Sequence, residues 1–199
     1  MSVEDELKSL RERQHFFVKP HGIFLCHWWD EVGRLLNIID EFKIGFFVEI
    51  GLLDGGLTAM LMSSIEYNHD LCYLGIEPAS HYVNDFVQAK ATRTEISHRV
   101  RFLFESAWKT ETVEIVRGVV RNCGRTLIYC DGGDKPKELH LYWSVLRPGD
   151  LIACHDYSDV EGEPGREVYP SHVRDLLAVG RRRCEAELRD TRILLVEKT

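Results

Sequence analysis

Five short apolar runs recur along the chain: GFFVEI (45–50), LCYLGI (71–76), VRFLF (100–104), RTLIYC (125–130) and DLIAC (150–154). Each has the length of a strand but not the alternation of a strand with one wet face. Strands that are apolar on both sides belong to parallel sheets covered by helices on both faces. The stretches near 57–67, 80–91, 110–120 and 136–146 have helical periodicity and are long enough for the crossovers that parallel strands require. The expected fold is a doubly wound, mostly parallel, Rossmann-like α/β sheet between two helical layers.

The two ends depart from that alternation. A helix near 171–183 is followed by CEAELR, Asp190-Thr191 and RILLVE, which read as two extended runs with a two-residue connection. So short a connection forces antiparallel pairing, and the terminal hairpin would bring the sheet to seven strands. Before the first strand, residues 1–43 read as helices. Ser2 and Asp5 have a weak capping-box spacing, and Trp28, Val32, Leu35, Leu36 and Ile39 share one face of a run from about His27 to Phe42. With no linker or repeat, residues 1–199 are expected to form one domain, with 44–199 as its core.

Composition removes several function classes. A net charge of −7 and an isoelectric point near 5.7 argue against a surface that grips nucleic acid. The basic triplet Arg181–Arg183 is local and suits a helix C-terminus. No apolar run reaches the roughly 18 residues of a membrane span, and the acidic start MSVEDELKSLRERQ is unlike a signal peptide. The cysteines are scattered without a CxxC pair. Cys72, Cys130 and Cys154 lie inside strand runs, as reduced core residues of a cytoplasmic protein do.

The chemistry begins at VEIGLLDGGLT (48–58). Gly51 lets the chain turn at once at the carboxyl end of the first strand, and Gly55 and Gly56 leave room beside the next helix. Ligands of open parallel sheets lie at strand carboxyl ends, where the first amides of a helix favour carboxylate or phosphate. Glu49 can accept hydrogen bonds from an ammonium, and Thr58 adds a hydroxyl. Glu77-Pro78, ending the second strand, offers a carboxylate to a ribose diol. The spacing E-x-G-x-x-x-G-G-x-T is not the dinucleotide pattern G-x-G-x-x-G.

VEIGLLDGGLT, GIEP, FESAW, YCDGGD and ACHDY, in this order on alternating elements, resemble the class I S-adenosylmethionine (SAM)-dependent methyltransferases over roughly residues 20–199. Within them the chain is most similar to the macrocin- and mycinamicin-type O-methyltransferases and the cephalosporin-hydroxylase-like proteins. The resemblance implies SAM as cofactor. Glu49, Gly51, Leu52, Gly55, Gly56 and Thr58 would surround its methionine end, Glu77 and Pro78 its ribose, and Glu105, Ser106 and Ala107 its adenine. Asp131 would lie beside the reacting methyl. The implied reaction is methyl transfer to a hydroxyl of a small molecule. A SAM-binding accessory protein without transfer activity is the alternative.

Asp131, His155 and Asp156 end the fourth and fifth strands and form the expected catalytic and metal group. Oxygen-rich sites suit magnesium or manganese. The metal-using relatives carry an acid where this chain has His155, which makes the site softer. His155 as metal ligand, as general base and as a loop-bonding residue all stay open. Relatives read D-G-x-H where this chain reads DGGD, and Asp134 is expected to cap the next helix. Lys135 and Lys137 are expected to be exposed. The segment YSDVEGEPGREVYP (157–170) is either a lid over the site or an untethered loop. The remaining histidines, His27 among them, show no ligand spacing. Phe16, Phe17, Trp28 and Trp29 could pack, cover the pocket or form a homo-oligomer contact.

Overall fold

A computed structural model describes residues 16–18, 23–25, 27, 29–67 and 70–199. The opening helix expected from Ser2 and Asp5, and Trp28, fall outside the described residues. Phe16–Val18 (β1) and Ile23–Leu25 (β2) pair antiparallel, so this part of 1–43 is extended where a helix was expected. One helix follows, Trp29–Glu41 (α1).

The five apolar runs form five parallel strands, each within a residue of its expected limits. These are Phe46–Ile50 (β3), Cys72–Ile76 (β4), Val100–Leu103 (β5), Thr126–Cys130 (β6) and Leu151–Cys154 (β7). Between them run Gly56–Tyr67 (α2), a 3-10 turn at Ser80–Tyr82 with Asp85–Ala91 (α3), Thr110–Asn122 (α4) and Lys135–Trp143 (α5). Pro170–Val179 (α6), Gly180–Arg182 (β8), Glu185–Leu188 (α7) and Leu194–Lys198 (β9) close the chain. The sheet order is β5-β4-β3-β6-β7-β9-β8, with β9 antiparallel to both neighbours. The order reverses between β3 and β6, which makes the carboxyl ends of those strands the switch point where such sheets bind ligands.

Alternate strand residues feed two cores. Phe47, Tyr73, Leu127 and Tyr129 pack with residues of α1 and α2 on one face. Val48, Ile50, Ile128 and Cys130 pack with residues of α4, α5 and α6 on the other. Both faces are buried because helices cover both. No helix among the described residues is long and apolar enough to cross a membrane.

The terminal hairpin is present, but its first strand is not CEAELR. That segment contains α7, whose Glu, Ala and Leu are strong helix formers and whose Leu188 enters the core. The partner of β9 is β8, and the helix before it stops at Val179. The arginine triplet therefore lies in and beside an edge strand, not at a helix end. Extended backbone lets Arg182 pair with both oxygens of Asp159 at 2.7 and 3.0 Å, over the Tyr157 ring, while Arg183 reaches Glu197 on β9.

Candidate active site

The glycine turn joins two strand ends. Gly51 has φ +82°, and a Cβ there would stand 2.6 Å from the Asp131 carbonyl oxygen and from Gly132 Cα. Asp131 N–H donates to the Ile50 carbonyl at 2.9 Å. Gly55 (φ +84°) fits closely against Val87. Glu77, at the end of β4, ties down the turn: one carboxylate oxygen accepts the N–H of Leu52 at 2.8 Å and of Leu53 at 3.1 Å. Glu77→Ala should leave both amides without that acceptor and lower unfolding free energy by about 1–3 kcal/mol, read by urea denaturation.

Glu49 is buried behind the turn. It accepts from Tyr73 Oη at 2.6 Å and from Thr58 Oγ1 at 3.1 Å. Burial raises its carboxyl to about 8, against the lowering effect of these two hydrogen bonds. A group of this kind favours the fold while protonated. Its contribution is complete below the ordinary value of 4.5 and is lost as pH rises to about 8. Glu49→Gln should therefore melt above the unsubstituted protein by a margin that widens from about pH 5 to about pH 8. A constant margin in scanning calorimetry would contradict this.

Two cavities adjoin at the turn. The larger, about 590 Å³, is lined by Glu49, Gly51, Leu52, Gly56 and Leu57 on one side. His27, Asp131, Lys135, His155, Asp156, Gly165, Arg166, Glu167 and Arg192 line the other. The smaller, about 230 Å³, is lined by Glu77, Pro78, Ala107, Trp108, Gly132, Gly133 and Glu138 among others. Gly51, Leu53 and Asp131 border both.

Of the residues singled out in the sequence, Glu49, Gly51, Leu52, Gly56, Glu77, Pro78, Ala107, Asp131, His155 and Asp156 reach these walls. Gly55 and Thr58 do not. Gly55 makes room for Val87, and the Thr58 hydroxyl is used within the Glu49 network. Glu105 turns outward to an ion pair with Lys109, and Ser106 accepts the Trp108 N–H at 3.3 Å.

An ionic cluster surrounds Asp131. His27 Nε2 stands 3.2 Å from one of its oxygens, and Lys135 Nζ and His155 Nδ1 stand 3.4 and 3.5 Å from the other. Asp156, at φ +59°, faces Lys135 Nζ at 3.2 Å, His155 Nδ1 at 3.4 Å and the Arg192 guanidinium. On its far side His155 Nε2 donates to Glu31 at 3.3 Å. Burial opposes charge on His155, but the hydrogen bonds to Asp131, Asp156 and Glu31 outweigh it and raise its pKa well above the ordinary range. For Asp131 burial is likewise outweighed, by His155 and His27, which hold it well below the carboxylate range. Asp156 is lowered to about 2, with burial again overcome by His155, Lys135 and Arg192.

Lys135 is buried, not exposed, because α5 starts at it and its ammonium turns in to Asp131, Asp156 and Glu167. Asp134 accepts the Lys137 N–H at 3.2 Å, as a cap should. His27 and Glu31 arrive from the segment before the sheet, and no local spacing could reveal them. The 157–170 loop is tethered by a bridge between Tyr157 and Val168 and returns Gly165, Arg166 and Glu167 to the cavity.

The group His27, Asp131 and His155 has donor atoms all within 4.8 Å of one another, which suits one divalent ion. Asp156, the third ligand expected from the sequence, lies outside this group and faces His155 Nδ1 at 3.4 Å, Lys135 and Arg192.

No protein-family model matches the chain, and no curated protein matches its sequence. Solved structures do match. A CmcI structure with Mg-SAM aligns at TM-score 0.65 and 13% identity, over 90% of this chain and 76% of that one. The SAH-bound methyltransferase PaMTH1 of Podospora anserina aligns at 0.60 and 11% identity, over 85% and 78%. CalS11, a TDP-rhamnose 3'-O-methyltransferase of calicheamicin biosynthesis, aligns at 0.58 and 14% identity, over 84% and 78%. The chain has the α/β fold of these methyltransferases, with its polar cluster at the switch point of the sheet.

Proposed function

We propose that the protein transfers the methyl group of SAM to a hydroxyl of a small-molecule acceptor. The observation that carries this reading is the pair of cavities meeting at the glycine turn and Asp131, with Glu49 in one and Glu77 in the other. SAM supplies a methyl already activated on a sulfonium, so the protein has mainly to orient and deprotonate the nucleophile.

The residues present suit that cofactor. Glu49 is a buried carboxylate at the cavity wall, and an ammonium beside it would return it to the charged form. One Glu77 oxygen is fixed by two amides, which orients the carboxylate beside the smaller cavity for a diol. Ala107 and Trp108 would flank an adenine there. The fold shared with CmcI, PaMTH1 and CalS11 supports the assignment.

The acceptor hydroxyl would lie against Asp131, whose ionised carboxylate would accept its hydrogen bond and take its proton as the methyl is transferred. Lys135 and His155 hold positive charge within 3.5 Å of that carboxylate and would stabilise the oxyanion as it forms. With no ion bound, the carboxylates of Asp131, Asp156 and Glu31 favour the protonated form of His155, which would act by charge and not as a base. A divalent ion held by Asp131 and His155 would take the place of the His155 Nδ1 proton and polarise the hydroxyl further. Arg166 and Glu167 shape the acceptor side and favour a modest polar substrate. Incubation with methyl-labelled SAM and a panel of sugars, phenols and hydroxylated metabolites should give labelled product in step with S-adenosylhomocysteine. Cofactor binding with no labelled acceptor would favour an accessory protein.

A further inference from the structure

We infer that His27, Asp131 and His155 hold a divalent transition ion, of the class from iron to zinc, in preference to magnesium. The inference deepens the reading of the site proposed above, but it stands on the donor set and not on methyl transfer.

Two observations carry it. First, two of the three convergent donors are imidazole nitrogens. Magnesium seeks oxygen ligands, whereas imidazole suits the later divalent ions. His27 Nε2 and His155 Nδ1 lie 3.2 and 3.5 Å from the two Asp131 oxygens, and an ion on His27 Nε2 would replace that nitrogen's hydrogen bond to Tyr129 Oη at 3.0 Å. Bonds of about 2.1 Å to one ion would set neighbouring donors about 3 Å or more apart.

Second, His155 has the outer partner that an imidazole ligand needs. Its Nε2 faces a Glu31 oxygen at 3.3 Å, and the other Glu31 oxygen accepts the Arg192 N–H at 3.2 Å. A proton on Nε2 leaves the Nδ1 lone pair aimed at Asp131, the arrangement by which a carboxylate fixes a metal-binding histidine.

The test is made on the full chain stripped with a chelator and titrated separately with cobalt(II) and magnesium chlorides. Cobalt should raise the melting temperature, give visible absorption bands of nitrogen-ligated cobalt(II), and bind at least roughly tenfold more tightly than magnesium. His27→Gln and His155→Gln should each remove the bands. Glu31→Gln, which keeps both ring ligands, should weaken cobalt binding by about 10–100-fold, and it serves where a histidine variant fails to fold. Equal affinity for magnesium, no absorption bands, or unchanged cobalt binding in these variants would overturn the inference. SAM titration of the same stripped protein separates the two readings. Cofactor binding without cobalt binding would sink the ion alone, and the reverse would leave it standing without the methyltransferase.

Discussion

Gly51→Ala should cost the protein much of its stability. The added Cβ would stand 2.6 Å from the Asp131 carbonyl oxygen, 2.6 Å from Gly132 Cα and 2.7 Å from the Asp131 carbonyl carbon. All three are backbone atoms, so no side chain can swing aside. The position also has φ +82°, where a side chain adds roughly 1–3 kcal/mol of strain. Pushing apart the ends of β3 and β6 adds about 1–3 kcal/mol more, as overpacking does. Against a typical domain stability of about 5–15 kcal/mol, that is a large fraction. The matched control is Gly118→Ala in α4, where a Cβ would meet nothing within 4 Å. It should be stabilised by up to about 1 kcal/mol through helix propensity. Urea midpoints of the two variants should therefore move in opposite directions. A normal midpoint for Gly51→Ala would mean that the turn relaxes without cost.

Asp131→Asn should lower kcat by about 10²–10⁴-fold while leaving cofactor affinity nearly unchanged. The amide keeps the shape and the backbone bond to Ile50, but the negative charge facing His27, Lys135 and His155 is gone. His155 also loses the hydrogen bond that contributes most to raising its pKa, so its titration should move down. Two readouts, kcat and the histidine titration followed by NMR, should change together. A kcat within a few-fold of the unsubstituted enzyme would place the reacting hydroxyl away from Asp131.

The legible part of the fold was the part fixed by local apolar pattern. GFFVEI, RTLIYC and DLIAC became β3, β6 and β7 because strands buried on both faces leave an uninterrupted apolar run. The ends were read less well. CEAELR alternates like a strand over six residues, yet its composition is helical, and a window so short does not separate the two periods. The same limit applies to the site. Glu49, Gly51, Glu77 and Asp131 sit at strand ends, where topology brings them together whatever the loops do. Lys135 looked like an exposed first-turn lysine, because its burial depends on Asp156 and on Glu167 in a loop 32 positions away. Glu31 and His155 are 124 positions apart, and only the docking of α1 against the end of β7 brings them together.

The most direct measurement is a calorimetric titration of the metal-free protein with S-adenosylhomocysteine, repeated with SAM. The expected result is saturable one-to-one binding tighter than about 1 mM, weakened in Glu77→Ala, with a rise in melting temperature that follows ligand concentration. No heat and no thermal shift at about 1 mM ligand would contradict the methyltransferase assignment, and would leave the glycine turn with a structural role alone.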